Sequence, residues 1–300
     1  MSIRGRARSL GRIQNWSTAV GVLLTVGTVV VIAFHNWVAP YNWSSPDLGQ
    51  ALQGPSLSHL LGTDELGRDD LSMVLAGYPY SIGIGAVGAG LAALIGLATA
   101  VLASAWPRWV GVVLERTSDA AIAMPFLVIA VVAIVVVGDG FWQTAIILGV
   151  VTWPLVARVA LAEARVVLAQ EYVLCSQLMG VGPLRRVVRH VLPEVLRTVV
   201  VMLPFLLSAL ILLEAALSVV GLGAPLGSPS WGNMLASSED YLRNAPWLMA
   251  GPALALVVTV IAANLLGDAL SRWGADRSGV SLGRDVILQL GGRMDAIEAE

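Results

Sequence analysis

Six stretches of this chain each run for roughly twenty residues with at most one charge, and that feature leaves few folds open. A hydrocarbon core about 30 Å thick is crossed by about 20 residues of helix, and a segment in lipid has to satisfy its own backbone polar groups. The windows are Trp16–Phe34, Ser81–Ala105, Ala120–Gly138, Phe141–Ala157, Thr198–Leu217 and Trp247–Gly267. Over 300 residues, 57% of side chains are apolar and 13% charged, and the mean hydropathy is +0.78. That leaves too little polar surface for a water-soluble globule. The expected fold is all-α, a polytopic membrane protein with six transmembrane helices. Arg4, Arg6, Arg8 and Arg12 precede the first window as they would precede a signal peptide. Its apolar run is too long for that, and no small-x-small site follows, so an uncleaved anchor is expected.

The basic residues fix an expected orientation. All 18 are Arg, and 16 of them fall in alternate segments: the N-terminus, the connection with Arg108 and Arg116, the 158–197 loop, and the tail. Only Arg68 and Arg243 fall on the other side. Positive charge resists translocation, so both termini and the 158–197 loop are expected in the cytoplasm. The segments His35–Tyr80 and Ser218–Pro246 are then expected outside.

Composition also removes function classes. With no Lys, the chain cannot supply a Walker A clamp or a Schiff base, so ATP hydrolysis is not expected here. Cys175 is alone, and His35, His59 and His190 are scattered, so neither a disulfide framework nor a metal site is expected. Gly83, Gly85 and Gly88 form G-x-G-x-x-G, but inside a membrane span with no preceding strand it carries no dinucleotide-binding meaning. The same span has two rows of small residues, Ser81-Gly85-Ala89-Ala93 and Gly88-Ala92-Gly96-Ala100. Rows of this kind let neighbouring helices approach closely. Pro125, Pro154, Pro204 and Pro252 lie in four spans, where kinks are tolerated when neighbours satisfy the freed carbonyls.

Glu214 is the one charged residue deep inside a span, and intramembrane carboxylates face a cavity or a partner. It is a candidate for the translocation path or a subunit interface, and equally for a hydrogen bond within the bundle. In the 158–197 loop, Ala162–Gly180 reads as a helix stopped at Gly180-Val181-Gly182-Pro183, and Leu184–Leu192 as a second, basic helix ending at Pro193. Arg185, Arg186 and Arg189 cluster on it, suiting anionic headgroups or a cytoplasmic protein. Asp64, Glu65, Asp69 and Asp70 lack the order of a calcium loop. Asp64, Arg68 and Asp69 suit either loop shaping by mutual pairing or substrate contact.

EYVLCSQLMGVGPLRRVVRHVLPEV, Glu171–Val195, resembles the EAA loop of ABC-importer permeases, with Gly180 and Leu192-Pro193 at the matching positions. Leu174-Cys175-Ser176 replaces the usual Glu-Ala-Ala and removes a carboxylate; Glu171 stands one turn earlier. HLLGTDELGRDDLS (59–72), Ser218–Trp247 and NLLGDAL (264–270) resemble segments of the dipeptide/oligopeptide/nickel permeases. The resemblance covers His59–Arg277. It implies an N-terminal segment over 1–80, a five-helix type I permease core over 81–277, and a tail over 278–300. It further implies an inner-membrane subunit forming half of a heterodimeric peptide channel, with a second permease and an extracytoplasmic solute-binding protein. Two ATPase subunits or domains would hold ATP and Mg, with no cofactor on this chain and no nucleic-acid partner. Glu171, Gly180, Gly182, Pro183, Arg185, Arg186, Arg189 and Pro193 would form the ATPase-coupling loop. The alternatives are a stand-alone secondary transporter or channel, an ABC permease for nickel, or a scaffold that moves no solute.

Overall fold

The computed structural model describes the backbone of residues 3–277 except Leu226, and side chains of residues 19–273 with the same exception. The tail 278–300 and the side chains of Arg4, Arg6, Arg8 and Arg12 lie outside the described residues. The described chain is helical, and five of its helices are long and apolar enough to cross a membrane; a bent pair makes six if it counts as one span.

Helix α1 (Ile3–Val38) contains the first window and packs against the last helix, α10 (Trp247–Arg277). Helix α2 (Asp70–Ala105) starts well before the expected Ser81, because Asp69 caps it: the Asp69 side chain accepts from the Ser72 backbone N–H. Pro79 is carried within this helix.

The third window is not one helix. Helices α3 (Arg108–Ala123) and α4 (Phe126–Val137) meet at 88°. Pro125 forces the residue before it out of helical geometry, and Met124 accordingly sits at φ −86°, ψ 137°.

Helix α5 (Phe141–Leu168) extends past the expected Ala157, with Pro154 inside it, so Arg158 and Arg165 ride on its end. Arg165 pairs with Glu115, tying α5 to α3. The expected helix Ala162–Gly180 is divided at Ala169-Gln170, and the second part is α6 (Glu171–Leu178). The expected short basic helix does not end at Pro193. Helix α7 (Pro183–Arg186) passes through a π turn, Val187–Val191, straight into α8 (Leu192–Val219). A proline ring clashes with the carbonyl four residues back, here that of Arg189, and a widened turn accommodates it without ending the helix. Helix α9 (Trp231–Glu239) is short and is capped by Ser230.

The core is built on the predicted small-residue rows. Gly88, Ala92, Gly96 and Ala100 are all buried, and the first and third lie directly on α5. A Cβ on Gly96 would come 2.8 Å from the Ala157 nitrogen, and one on Gly149 would come 2.8 Å from the Gly88 carbonyl oxygen. On the other row, Gly85 meets Ile211 and Leu207 of α8.

Gly96→Val is expected to destabilise by about 1–3 kcal/mol through overpacking of this seam. Gly90 has open space around its Cα, so Gly90→Ala is expected to gain up to about 1 kcal/mol of helix propensity. Thermal unfolding in detergent, followed by tryptophan fluorescence, reads both; shifts of the same sign would contradict the packing described.

Candidate functional site

Two regions at opposite ends of the bundle hold the residues singled out from sequence, with Glu214 buried near the first. At the 59–72 end, the segment folds on its own side chains. Asp64 Oδ2 accepts from Arg68 Nε at 2.6 Å, while Oδ1 accepts from the backbone N–H of Arg68 at 2.7 Å and of Leu66 at 3.0 Å. Asp69 is engaged elsewhere. Its Oδ2 accepts from the Ser72 backbone N–H (2.8 Å) and hydroxyl (2.6 Å), and its Oδ1 lies 2.9 Å from His59 Nδ1. The other His59 ring nitrogen lies 2.9 Å from Gln50 Oε1. So Asp64 and Arg68 do pair, whereas Asp69 joins the helix cap to His59 and not to Arg68. His59, set aside on sequence as one of three scattered histidines, belongs to this chain of contacts. The spacing His59–Asp69 was visible, but nothing in it marks a turn that closes.

Glu214 is fully enclosed, at 0% exposure. Its Oε1 accepts from Ser218 (2.9 Å) and Ser230 (2.7 Å). Ser218 Oγ in turn accepts the Ala224 N–H at 3.1 Å, and Ser230 Oγ accepts the Gly232 N–H at 3.1 Å. The next residue, Trp231, donates its backbone N–H to Ser81 Oγ (3.1 Å) and its indole N–H to the Val74 carbonyl (3.0 Å). Glu214 therefore ties α8 to the loop before α9, and α9 is pinned to the start of α2. Ser218 stands at i+4 from Glu214 on α8 and was readable as its neighbour, whereas Ser230 and Trp231 were missed on sequence because their contacts with Glu214 and α2 depend on how the chain folds back after α8.

At the opposite end, the α6–α7 hairpin is shaped by its glycine. Gly180 has φ +80°. Its N–H donates to the Gln177 carbonyl (3.0 Å), and the Val181 N–H donates to the Ser176 carbonyl (3.1 Å). These are the two bonds of a Schellman stop. Pro183 opens α7. Val173, Ser176, Val187 and Val191 face the bundle and are buried, and the rings of Tyr172 and His190 meet edge-on at 5.6 Å. Facing away are Glu171, Gly180, Gly182, Pro183, Arg185, Arg189 and Pro193, all exposed, while Arg186 is half-buried. At the tip, Leu178 and Met179 are 88% and 76% exposed, beside Leu184 at 55%. An apolar tip flanked by arginines is the chemistry of a protein contact, since exposed contiguous apolar surface marks interaction sites. Among the described residues, no three His, Cys, Asp or Glu side chains are grouped to hold a metal.

Residues 71–278 match the family model described as the inner membrane component of binding-protein-dependent transport systems. The chain belongs to that family. It is 36% identical over 259 residues to the di/tripeptide transport system permease protein DppC of Pseudomonas aeruginosa, covering 84% of this chain and 86% of that protein. It is 35% identical over 264 residues, 88% of each chain, to a Brucella suis protein provisionally named a peptide transport system permease. This family member is thus a multi-pass membrane transport component, and the matched region takes in the α6–α7 hairpin, the α8–α9 knot and all of α2 but its first residue.

In this permease, Glu214→Gln keeps an acceptor for both serine hydroxyls and is expected to unfold within about 1 kcal/mol of the parent. Glu214→Ala strands both hydroxyls and opens a cavity, for an expected loss of about 2–4 kcal/mol. Comparing thermal unfolding of the two variants tests the knot, and equal losses would contradict it.

Proposed function

We propose that this chain is the permease subunit of an ATP-driven importer, forming half of a heterodimeric channel that carries short peptides across the inner membrane. The observation that carries this reading is the α6–α7 hairpin: an apolar tip, Leu178, Met179 and Leu184, stopped by Gly180 and flanked by Arg185 and Arg189. A docked ATPase subunit would cover that tip. The arginine distribution supports a cytoplasmic hairpin and cytoplasmic termini, and the 59–72 segment and α9 then face the binding protein outside. Peptide is chosen because the relatives' names carry it. In this scheme ATP and Mg reside on the ATPases, and this chain supplies the path and the lever.

The coupling is a difference in affinity. A closed ATPase pair binds the hairpin more tightly in one bundle conformation than in the other, and hydrolysis alternates the two. Residues Pro183–Val219 form one continuous run of helix, so a displacement at the tip enters the membrane without crossing a loop.

Gly180→Leu tests the hairpin. The left-handed backbone at this position costs a non-glycine residue about 1–2 kcal/mol, and the new side chain projects into space that is open in the free chain. The expected result is a folded chain with ATPase co-purification and peptide uptake both reduced by about tenfold or more. Full uptake with ATPases still bound would overturn the assignment of this hairpin. Uptake by the purified chain alone under an ion gradient would overturn the importer itself.

A further inference from the structure

Where α2 and α5 finish and α3 begins lies a half-open cavity of about 330 Å³. Helices α3 and α5 each give it one stripe at i, i+4, i+7 spacing: Arg108, Val112 and Glu115 from the first, Leu161, Arg165 and Leu168 from the second. Ser104, in the last turn of α2, closes it, and Gly111 lets α3 come in against Ala103. The charges on this wall do not balance. Arg165 donates from Nη2 to Glu115 Oε1, which occupies the cavity's one acid. Arg108 has no ion pair and no side-chain hydrogen bond among the described residues. A guanidinium carries N–H donors on all three nitrogens, so Nε and Nη1 of Arg165 are also without an acceptor there.

Arg108 stands where a helix resists a cation. It is the first residue of α3, whose first turn holds no acid and whose N-cap, Pro107, makes no side-chain cap bond. The positive end of the helix dipole lies there, and anions are favoured at that end. A guanidinium, a helix start and the spare donors of Arg165 thus share one opening with no free negative group between them, and an oxyanion is the partner they fit. The depth of the opening says which. The apolar run of α2 ends at Ala105, and Trp106 and Trp109, 50% and 68% exposed, bracket Pro107 and Arg108 in the chain. Exposed tryptophans at the end of a span sit at headgroup level, and basic pockets between spans take lipid headgroups. Val112, Leu161 and Leu168 make the rest of the wall apolar, which suits the first methylenes of a lipid and gives nothing to a free phosphate. Glu115, already paired, offers nothing to the ammonium of a zwitterionic lipid, so the fit is to a headgroup of net negative charge.

We infer that this cavity binds the phosphodiester of an anionic phospholipid, with Arg108 of α3 and Arg165 of α5 donating to its oxygens. The inference goes beyond the importer reading and needs only that the chain lies in a bilayer. The lipid fastens the start of α3 to the end of α5, where Glu115 and Arg165 make the ion pair between these helices. It thereby braces the first arm of the 88° elbow between α3 and α4.

The test uses the full chain in detergent, titrated with phosphatidylglycerol, phosphatidylcholine or inorganic phosphate. Native mass spectrometry counts bound molecules, and tryptophan fluorescence follows thermal unfolding. One phosphatidylglycerol per chain is expected to bind about tenfold or more tightly than phosphatidylcholine and to raise the melting temperature. Arg108→Gln is expected to weaken that binding by about tenfold or more, with the lipid-free melting temperature unchanged because Arg108 is exposed and unpaired. Glu115→Gln releases Arg165 and is expected to tighten binding several-fold, which a merely structural ion pair does not do. Arg116→Gln, exposed and outside the cavity, is expected to leave binding as it is. Equal binding of the two lipids, or a loss in Arg116→Gln equal to that in Arg108→Gln, would overturn the inference. Inorganic phosphate bound as tightly as phosphatidylglycerol would overturn it too, by making the cavity a free-anion site. Should Arg108→Gln not fold, Glu115→Gln decides, and binding that it weakens or leaves unchanged would count against the site.

Discussion

The seam between α2 and α5 is the contact on which the rest of the molecule depends. Lipid tails are as apolar as the helices they surround, so hydrophobic burial gives no reason for two spans to associate; close backbone approach does. Here Gly88 and Gly149 face each other with no room for a Cβ on Gly149, and Gly96 sits against the Val156-Ala157 backbone. At about 1.5 Å per residue, the 36 residues of α2 reach about 54 Å, well beyond the bilayer core. The excess is used. The first turns of α2 carry the Asp69 cap, the Val74 carbonyl that holds Trp231, and Ser81, so the fixed helix also positions the loops at that end.

Glu214 shows how the same end is closed. A carboxylate in a span is tolerated when enclosed and hydrogen-bonded, and this one gathers two serine hydroxyls, of which Ser218 receives the Ala224 N–H of the α8–α9 connection and Ser230 the Gly232 N–H in the first turn of α9. One side chain thereby organises a loop that has no regular ladder of its own. Gly221, at φ +81°, makes the turn out of α8 with the same paired bonds seen at Gly180, to the Ser218 and Leu217 carbonyls. Both ends of the run Pro183–Val219 are therefore bounded by tight turns, one a Gly-Pro turn and one a glycine stop.

Hydropathy made the spans legible because apolar length is what a bilayer requires, but it could not place their ends. Beyond the hydrocarbon a helix continues until caps stop it, and so α2 begins at Asp70 and α5 ends at Leu168, past the last apolar windows. The Gly180 stop was readable because its cause is local: only a residue free to adopt positive φ fits there. The 88° break at Pro125 was not distinguishable from a kink, since the sequence shows the proline and not the neighbours that decide how far the chain swings. Pro193 misled in the opposite direction. A widened turn absorbed it, with the Leu192 N–H reaching the Val187 carbonyl. At the candidate sites, residues in the hairpin motif were legible one by one, whereas the contacts His59–Asp69 and Glu214–Ser230 depend on loop closure.

The continuity through Pro193 changes what the hairpin is able to do. A helix that ended there would leave the exposed tip on a flexible joint, and a push on Leu184 or Arg185 would dissipate in the linker. Instead the tip joins α8 through a π turn whose Val187 and Val191 are buried against the core. Such turns are weak points in an otherwise stiff rod, because their hydrogen bonds are wider and fewer. In the proposed importer, an ATPase gripping the tip of a rod anchored at the π turn would have force on one side of the anchor returned as rotation on the other. Glu214 and Ser218 lie at the far end of that same rod. In the proposed importer, the arrangement places the gripped surface and the opposite mouth on one helix, with a single compliant turn between them.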